Sequence, residues 1–308
     1  MAVTDQITNL KEARQASFAA GVAWALLAIL IWSGWFVLTR LSLVENLSTY
    51  DIAALRFGTA GLLLLPVVLK QGFGLKQVHP FTLTALIAGA GAPYALVVTA
   101  GLFFAPASHG SALTPGVMPL WVALLSTTLL SEVLPARRTL GLLLILCGVV
   151  AIAGIGVVFS QGQEWLGHVL FLTAALMWAC YTIALRSSGL SALHGTAIVA
   201  VWSMLLYLPV YALFLEPAIG SARPSSLLFA MLYQGVMSSV VSLIAYTRAV
   251  AILGASRAAA FASLNPVLGL LIAIPVLGEV PSSLDLIGIV LVSVGVYFAT
   301  GAKLGKRV

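Results

Sequence analysis

Two prolines interrupt an apolar stretch of the chain between Ala107 and Glu132. Pro115 and Pro119 each lack a backbone N–H and crowd the carbonyl four residues earlier, so the carbonyls of Ser111 and Pro115 lose their helical partners. Inside a bilayer, such carbonyls find a partner only in neighbouring protein or in a wet cavity. With the hydroxyls of Ser111 and Thr114, they are candidates for polar contacts with a small molecule. A simple kink is the structural alternative.

A second stretch, from Gly254 to Glu279, repeats this pattern. Its Pro266 directly follows Asn265, whose side-chain amide adds another polar group. The copies are unequal, because TPGVMP holds two prolines where SLNP holds one beside an asparagine. We expect both breaks to lie near the middle of a membrane and to hold the polar end of a ligand.

Aromatic side chains supply the complementary apolar surface. Trp32 and Trp178 lie near the middle of apolar stretches, away from the interfaces where aromatic belts form. Their π faces would stack on an aromatic ligand and attract an ammonium group by ~0.5–2 kcal/mol. Helix packing is the alternative for each of them. The predicted ligand pathway also includes Trp35, Tyr94, Met118, Tyr181 and Tyr246.

Basic and titratable candidates are few. His109 begins the first broken stretch, where a lone histidine is either an interface residue or a pH-sensing, proton-passing group. Arg56, Arg248 and Arg257 are candidate partners for a carboxylate, although each lies near the end of an apolar stretch, where snorkelling to the interface is usual.

The acidic residues point to structure more than to chemistry. All nine lie in tails, loops or the ends of apolar stretches. Glu132 and Glu279 each precede a long apolar stretch, so we expect them to favour the positive N-terminal end of the helix that follows. A role as gating charges is the alternative.

Composition identifies the elements that must position these residues. With 61% hydrophobic and 8% charged residues and a mean hydropathy of +1.10, the chain is far from a soluble protein, in which about a quarter of residues are charged. Apolar runs of roughly 20 residues recur, and the alternating pattern of a membrane β-barrel is absent. The sequence predicts an all-α polytopic membrane protein. The ten expected spans are 19–39, 52–69, 81–104, 107–130, 139–159, 167–185, 196–215, 225–248, 255–277 and 284–301.

The distribution of positive charge predicts the orientation. All of the 15 Lys and Arg residues except Arg40, Arg56 and Arg223 fall on one side of the predicted spans, which is typical of the cytoplasmic side. Both termini are then cytoplasmic, as a polar tail at 1–18 and a basic tail at 302–308. Because the excess charge lies at span ends, we expect the lipid bilayer and a small molecule as partners, and no nucleic acid.

The two cysteines, Cys147 and Cys180, lie inside apolar spans without metal-ligand spacing. We expect no metal and no cofactor.

The chain also repeats itself. Trp32 and Arg40 align with Trp178 and Arg186, and Pro119 and Glu132 align with Pro266 and Glu279 at nearly the same separation. The halves are 19–159 and 160–301. Five spans per repeat is an odd number, so the second copy must be inverted. Inverted repeats with a binding site at their interface are characteristic of secondary transporters.

Four segments carry a resemblance to a known family: LIWSGWFVLTR, LMWACYTIALR, SEVLPARRTLGLLLILCGVV and GEVPSSLDLIGIVLVSVGVY. They resemble the EamA branch of the drug/metabolite transporter superfamily, and the chain is most similar to YddG-type exporters of aromatic and other neutral amino acids. The resemblance implies ten helices in two inverted five-helix repeats. It also implies alternating access and export of small metabolites across a bacterial inner membrane.

Other function classes lack their motifs. An intramembrane enzyme would need an HExxH, a GxSxG or a pair of intramembrane aspartates, and a channel would need a filter ring or a repeated polar stripe. Without a carboxylate inside the bundle, we expect facilitated export, or coupling through a weaker group such as His109. Drug-like amphiphiles are the alternative substrates. Nucleotide sugars are disfavoured, because few buried basic residues could hold phosphates.

Overall fold

The computed structural model describes residues 2–44, 47–130, 134–154, 162–253, 258 and 261–300. Every element in these ranges is helical. The α-helices are α1 (Ala2–Val44), α2 (Thr49–Gln71), α3 (Pro80–Ala90), α4 (Ala92–Phe104), α5 (Ala107–Leu130), α6 (Ala136–Val149), α7 (Glu164–Ser188), α8 (Ala192–Phe214), α9 (Pro224–Ala230), α10 (Ser242–Leu253), α11 (Asn265–Leu277) and α12 (Ser283–Ala299). A π-helical turn, Val150–Gly154, extends α6, a π-helix, Met231–Val241, joins α9 to α10, and short 3₁₀ helices occupy Ile219–Ser221 and Phe261–Leu264.

Six helical segments are long and apolar enough to cross a membrane, and two more helices are apolar but shorter. The prediction of an all-helical, multi-pass membrane protein is therefore confirmed. The prediction of ten spans is met in part, because only these six have the required length and composition among the described residues. The six are Phe18–Leu43, Thr49–Gln71, Pro80–Phe104, Glu164–Ser188, Ala192–Phe214 and Pro224–Leu253, and the shorter two are Phe261–Leu277 and Ser283–Ala299.

The helices of the two halves pack against each other in an exchanged pattern. Helix α1 of the first half packs on α10 of the second, and α7 of the second half packs on α3 and α4 of the first. In the same way, α5 packs on α7 while α11 packs on α1. Corresponding helices also meet directly, as α2 with α8, α5 with α11 and α6 with α12. This is the pattern of two similar units related by a twofold axis.

Glycines set the closest of these contacts. A Cβ on Gly148 of α6 would lie 2.7 Å from the carbonyl oxygen of Gly288 on α12, and a Cβ on Gly141 would lie 2.6 Å from that of Gly295. The absence of side chains at these glycines allows the two helices to approach closely. Because the residue numbers rise on α6 as they fall on α12, the two helices run antiparallel.

Two spans depart from a regular α-helix at positions where no irregularity was predicted. The predicted span 81–104 divides at Gly91 into α3 and α4, with Pro93 in the first turn of α4. The freed N–H of Ala92 donates to Ser203 Oγ at 3.1 Å, which links the break to α8. The predicted span 225–248 contains the π-helix Met231–Val241. The short connection expected at Ala105–Pro106 is present between α4 and α5.

Candidate functional site

A cavity of about 380 Å³ lies between the two halves of the bundle. Both halves contribute to its walls, and six of the 17 lining residues are aromatic. The lining residues are Trp32, Trp35, Phe36, Arg56, Tyr94, Thr114, Pro115, Met118, Pro119, Trp178, Thr182, Ser238, Tyr246, Ala262, Asn265, Val296 and Thr300.

Most of the predicted pathway residues meet on this wall. The structure brings together Trp32, Trp35, Tyr94, Thr114, Met118, Trp178, Tyr246 and Asn265, with the prolines Pro115 and Pro119. It leaves His109, Ser111, Tyr181 and Pro266 off the wall.

Two aromatic pairs face the cavity, each shared between the halves. Trp32 of α1 lies 5.3 Å from Tyr246 of α10, centre to centre. Trp178 of α7 lies 5.0 Å from Tyr94 of α4. Each tryptophan therefore packs on a tyrosine of the other half, in a tilted arrangement typical of favourable aromatic pairs. Tyr181 packs behind Trp178, with ring centres 5.3 Å apart.

Hydrogen bonds fix the tryptophans of α1. Trp32 Nε1 donates to Ser242 Oγ at 2.9 Å, and Trp35 Nε1 donates to Gln234 Oε1. Gln234 lies in the π-helix, and its Nε2 donates to Thr39 Oγ1 at 2.8 Å. The wider turn of the π-helix thus supplies a buried amide that holds one indole ring.

The three predicted helix breaks are not alike. Pro266 stands in the first turn of α11, where no helical N–H is lost, directly after the 3₁₀ helix Phe261–Leu264, so the helix type changes at the predicted position. By contrast, Pro115 and Pro119 lie inside the continuous helix α5. The side-chain oxygen of Asn265 accepts a hydrogen bond from Ser33 Oγ at 2.8 Å, so it joins α11 to α1.

Ser111 has a packing role in this arrangement. Its hydroxyl donates to the Ser108 carbonyl at 2.9 Å. A Cβ on Gly269 would lie 2.1 Å from the Ser111 Oγ, so α5 and α11 approach each other closely at this point.

Arg56 is the cation on the cavity wall. Its guanidinium carbon lies 4.9 Å from the centre of the Trp35 ring and 5.6 Å from that of Phe57. Its Nε and Nη1 atoms are buried and have no hydrogen-bond partner among the described residues. Arg56 is one of the three arginines predicted as candidate partners for a carboxylate, with snorkelling to the interface as the alternative near a span end. Of the other two candidate arginines, Arg248 is exposed on α10, and Arg257 lies outside the described residues.

Glu279 caps a helix, but not the one predicted. Its carboxylate accepts hydrogen bonds from the backbone N–H groups of Ala107 at 2.7 Å and Ser108 at 3.1 Å, at the start of α5. Its Oε1 also lies 3.5 Å from Arg40 Nε. Helix α12, which follows Glu279, is instead capped by Ser282 and Asp285. The prediction that Glu279 stabilises the helix that follows it is therefore wrong, because the helix it stabilises is α5 of the other half. Glu132 lies outside the described residues.

His109 is not a lone histidine. Its Nδ1 lies 3.0 Å from His168 Nε2, and its Nε2 lies 3.1 Å from Asp285 Oδ1. Both histidines are buried, and His168 Nδ1 has no hydrogen-bond partner among the described residues. This cluster joins α5, α7 and α12, close to the Arg40–Glu279 pair.

Several lining residues were missed by the sequence analysis. Phe36 and Thr182 each follow a predicted tryptophan by four residues on the same helix, so the helical spacing could have identified both. Ser238, Ala262, Val296 and Thr300 reach the cavity only through tertiary packing.

Comparison with known proteins gives the family. Residues 19–154 and 165–301 each match the EamA-like transporter family. The chain belongs to this family. The two matches cover nearly all of the chain and confirm the internal repeat.

The individual proteins that match the chain have low sequence identity to it. The uncharacterised transporter YetK of Bacillus subtilis is 26% identical over 263 residues, which are 83% of this chain and 79% of YetK. A protein of Streptantibioticus cattleyicolor described as a probable terminal-alkyne amino-acid exporter is 27% identical over 304 residues, which are 92% of this chain and 95% of that protein. A crystal structure with 21% sequence identity superposes with a TM-score of 0.60 and covers 91% of this chain and 96% of its own, which supports the fold.

Proposed function

We propose that this EamA-family transporter exports aromatic and other neutral amino acids across the bacterial inner membrane by alternating access. The observation that carries the proposal is the aromatic cavity between the two halves, in which each half contributes a tryptophan packed on the other half's tyrosine. A site shared by two repeats can open to either side when the repeats rock against each other.

The lining of the cavity fits this class of substrate. Its volume of about 380 Å³ is at the lower end of the range for small-molecule sites, which suits a single small metabolite. The aromatic faces suit a planar side chain. Arg56 is the one cation among the described lining residues, and it suits one anionic group rather than the several charges of a nucleotide sugar. The relative from Streptantibioticus cattleyicolor, whose description names an amino-acid exporter, agrees with this reading.

The proposed topology has ten spans in two inverted repeats, with both termini in the cytoplasm. The antiparallel contact between the corresponding helices α6 and α12 supports inversion. The corresponding helices α2 and α8 are antiparallel as well, because Gly58 of α2 faces Leu208 of α8 while Gly61 faces Met204. The bias of Lys and Arg supports the orientation.

This topology assigns a direction to the observed arrangement. Arg40, Glu279, His109 and Asp285 lie at span ends that the proposed orientation puts outside, and their contacts join the two halves there. The cavity extends towards the opposite end, as far as Thr300 at the end of α12. The arrangement therefore corresponds to a state closed to the outside, and release of substrate requires these outer contacts to separate.

Efflux from proteoliposomes tests the proposal. Liposomes containing the purified protein are loaded with one of a panel of labelled amino acids, and loss of label is compared with that from protein-free liposomes. We expect tryptophan, phenylalanine and tyrosine to leave fastest, leucine and valine more slowly, and lysine and glutamate no faster than from the protein-free liposomes. Release of none of the amino acids, with transport of a cationic dye, would replace the proposal with export of drug-like amphiphiles.

A further inference from the structure

We infer that Arg56 and Thr114 form a carboxylate-binding site in the cavity, and that a carboxylate, not an ammonium group, is the charge that the cavity selects. The inference rests on the proposed function in one respect, namely that the cavity holds the transported molecule. It goes further in predicting that aromatic carboxylic acids without an amino group bind, and that aromatic amines bind poorly.

Arg56 is held in place without its ordinary partners. Two aromatic rings, Trp35 and Phe57, lie against the guanidinium, whose Nε and Nη1 atoms are buried without a hydrogen-bond partner among the described residues. A guanidinium stays protonated in proteins, and a buried charge without a hydrogen-bonding partner is costly. Because the planar fork of N–H groups matches the two oxygens of a carboxylate, an anionic ligand in the cavity would supply the missing acceptors.

Thr114 provides a second unused donor on the same wall. Threonine hydroxyls inside helices usually donate to the carbonyl four residues earlier, as Thr182 does on this wall, with Oγ1 2.8 Å from the Trp178 carbonyl oxygen. Thr114 Oγ1 is buried and has no partner among the described residues. A hydroxyl left free in the same cavity as an unpaired guanidinium is suited to a ligand oxygen.

An ammonium group would find no acidic partner here. No aspartate or glutamate is among the residues that line the cavity in the described part of the chain. The buried carboxylate of Asp51 is used by Ser48, Tyr211 and the N–H of Ala218, and Asp285 faces His109. An ammonium group would therefore meet π faces and neutral oxygens but no negative charge on the described lining, and a protonated Arg56 repels it.

The first half of the chain carries Arg56, and the corresponding position of the second half carries no charge. With Pro66 aligned on Pro209, the position that corresponds to Arg56 is Val199, which is buried in an apolar cluster with Leu86 and Ala184. The aromatic walls are therefore similar in the two halves, but among the described lining residues the positive charge of Arg56 is present on one side alone. This charge would orient a ligand with its carboxylate towards α2 and its ring towards the two tryptophans.

Three indole compounds distinguish the contribution of the carboxylate to binding from that of the ammonium group. Thermal unfolding of the purified protein in detergent is measured with tryptophan, with indole-3-propionate, which lacks the ammonium, and with tryptamine, which lacks the carboxylate. A ligand that binds only the folded state raises stability with the logarithm of the ratio of its concentration to its Kd. We therefore expect the first two compounds to raise the midpoint and tryptamine to bind at least about tenfold more weakly. Tryptamine binding as tightly as tryptophan would overturn the inference, and so would a failure of all three compounds to bind.

Variants then assign the effect to residues. We expect Arg56→Met to weaken tryptophan and indole-3-propionate by about tenfold or more while leaving tryptamine unchanged or improved, with Arg56→Lys intermediate. Thr114→Val is expected to weaken the two carboxylates by severalfold, whereas Thr173→Val should have no effect, because Thr173 is exposed on α7, away from the cavity, and its Oγ1 donates to the Val169 carbonyl oxygen at 2.8 Å. Equal losses for all three compounds in Arg56→Met would overturn the inference, and if that variant does not fold, the comparison of Thr114→Val with Thr173→Val decides.

The outcomes separate this inference from the proposed function. If the wild-type protein binds indole-3-propionate through Arg56 but moves no amino acid, the carboxylate site stands and the proposed amino-acid substrate fails. If tryptophan is exported and the Arg56→Met variant binds it as the wild type does, the proposed function stands and the carboxylate site fails.

Discussion

The ring centres of Trp32 and Tyr246 lie 5.3 Å apart, although the two residues come from different halves of the chain. The pair formed by Trp178 and Tyr94, 5.0 Å apart, reverses the assignment, because here the tryptophan belongs to the second half. Each half therefore completes the aromatic wall of the other. A relative movement of the halves must change both pairs together, which ties the shape of the cavity to the state of the bundle.

Removing an aromatic face from the wall should weaken aromatic substrates specifically. We expect Trp178→Leu to raise the KM for tryptophan efflux by about three- to tenfold, because an aromatic contact contributes ~0.5–1.5 kcal/mol beyond its area, and Trp178→Phe to have a smaller effect. Trp165→Leu, at an exposed tryptophan on the same helix, is the control and should leave KM unchanged. An unchanged KM in Trp178→Leu would show that this ring does not contact the substrate.

The Glu279 carboxylate should contribute to stability through two separable contacts. We expect Glu279→Gln to lower the free energy of unfolding by about 1–3 kcal/mol, because hydrogen bonds from the start of α5 lose a charged acceptor and Arg40 loses its ion pair. A double-mutant cycle with Arg40→Gln isolates the ion pair from the cap. Glu216→Gln, at an exposed site, should have no effect, and an equal result for the two glutamate variants would contradict the assignment.

The contact between His109 and Asp285 should hold the outer end of the bundle closed. His109 Nε2 lies 3.1 Å from Asp285 Oδ1, so the contact joins α5 to α12 at the end that the proposed orientation puts outside. We expect His109→Ala to speed tryptophan efflux by about twofold or more, because the state open to the outside gains population, and His79→Ala, at an exposed histidine, to leave the rate unchanged. An unchanged rate in His109→Ala would show that this contact does not limit opening.

The contact between α6 and α12 should tolerate no side chain at its glycines. We expect Gly148→Ala to cost about 1–3 kcal/mol, because its Cβ would meet the Gly288 carbonyl oxygen at 2.7 Å and backbone cannot move aside cheaply. Gly220→Ala is the control, because a Cβ there meets nothing within 4 Å. Thermal unfolding in detergent measures both, and equal midpoints would contradict the packing described above.

The sequence predicts the helical class, the repeat and most of the cavity wall, because these depend on local signals. Hydropathy marks helices that cross a membrane, and the rare residue types Trp and Pro align the halves. A tryptophan near the middle of a span, such as Trp32 or Trp178, is far from the membrane surface and is therefore expected between helices. The break at Gly91 also has a local signal, since Pro93 removes a backbone donor just beyond it.

Other features depend on contacts that no local pattern contains. Glu279 stabilises the N-terminus of α5 rather than that of α12 because the exchanged packing brings the two halves together at that end. His109 gains its partners His168 and Asp285 in the same way. The segment Met231–Val241 contains no proline and no pair of glycines, so its sequence does not predict a π-helix. The role of Gln234 follows only from the structure, in which Trp35 donates a hydrogen bond to it.

Counterflow in proteoliposomes tests the central claim, that the cavity between the halves carries aromatic amino acids, most directly. Vesicles with the purified protein are loaded with unlabelled tryptophan and diluted into a trace of labelled tryptophan, with no ion gradient present. The account predicts a transient accumulation of label above the external concentration, reduced severalfold in Trp178→Leu and normal in Trp165→Leu. Entry of label at the rate of protein-free vesicles, or an accumulation that is the same in all three proteins, would contradict it.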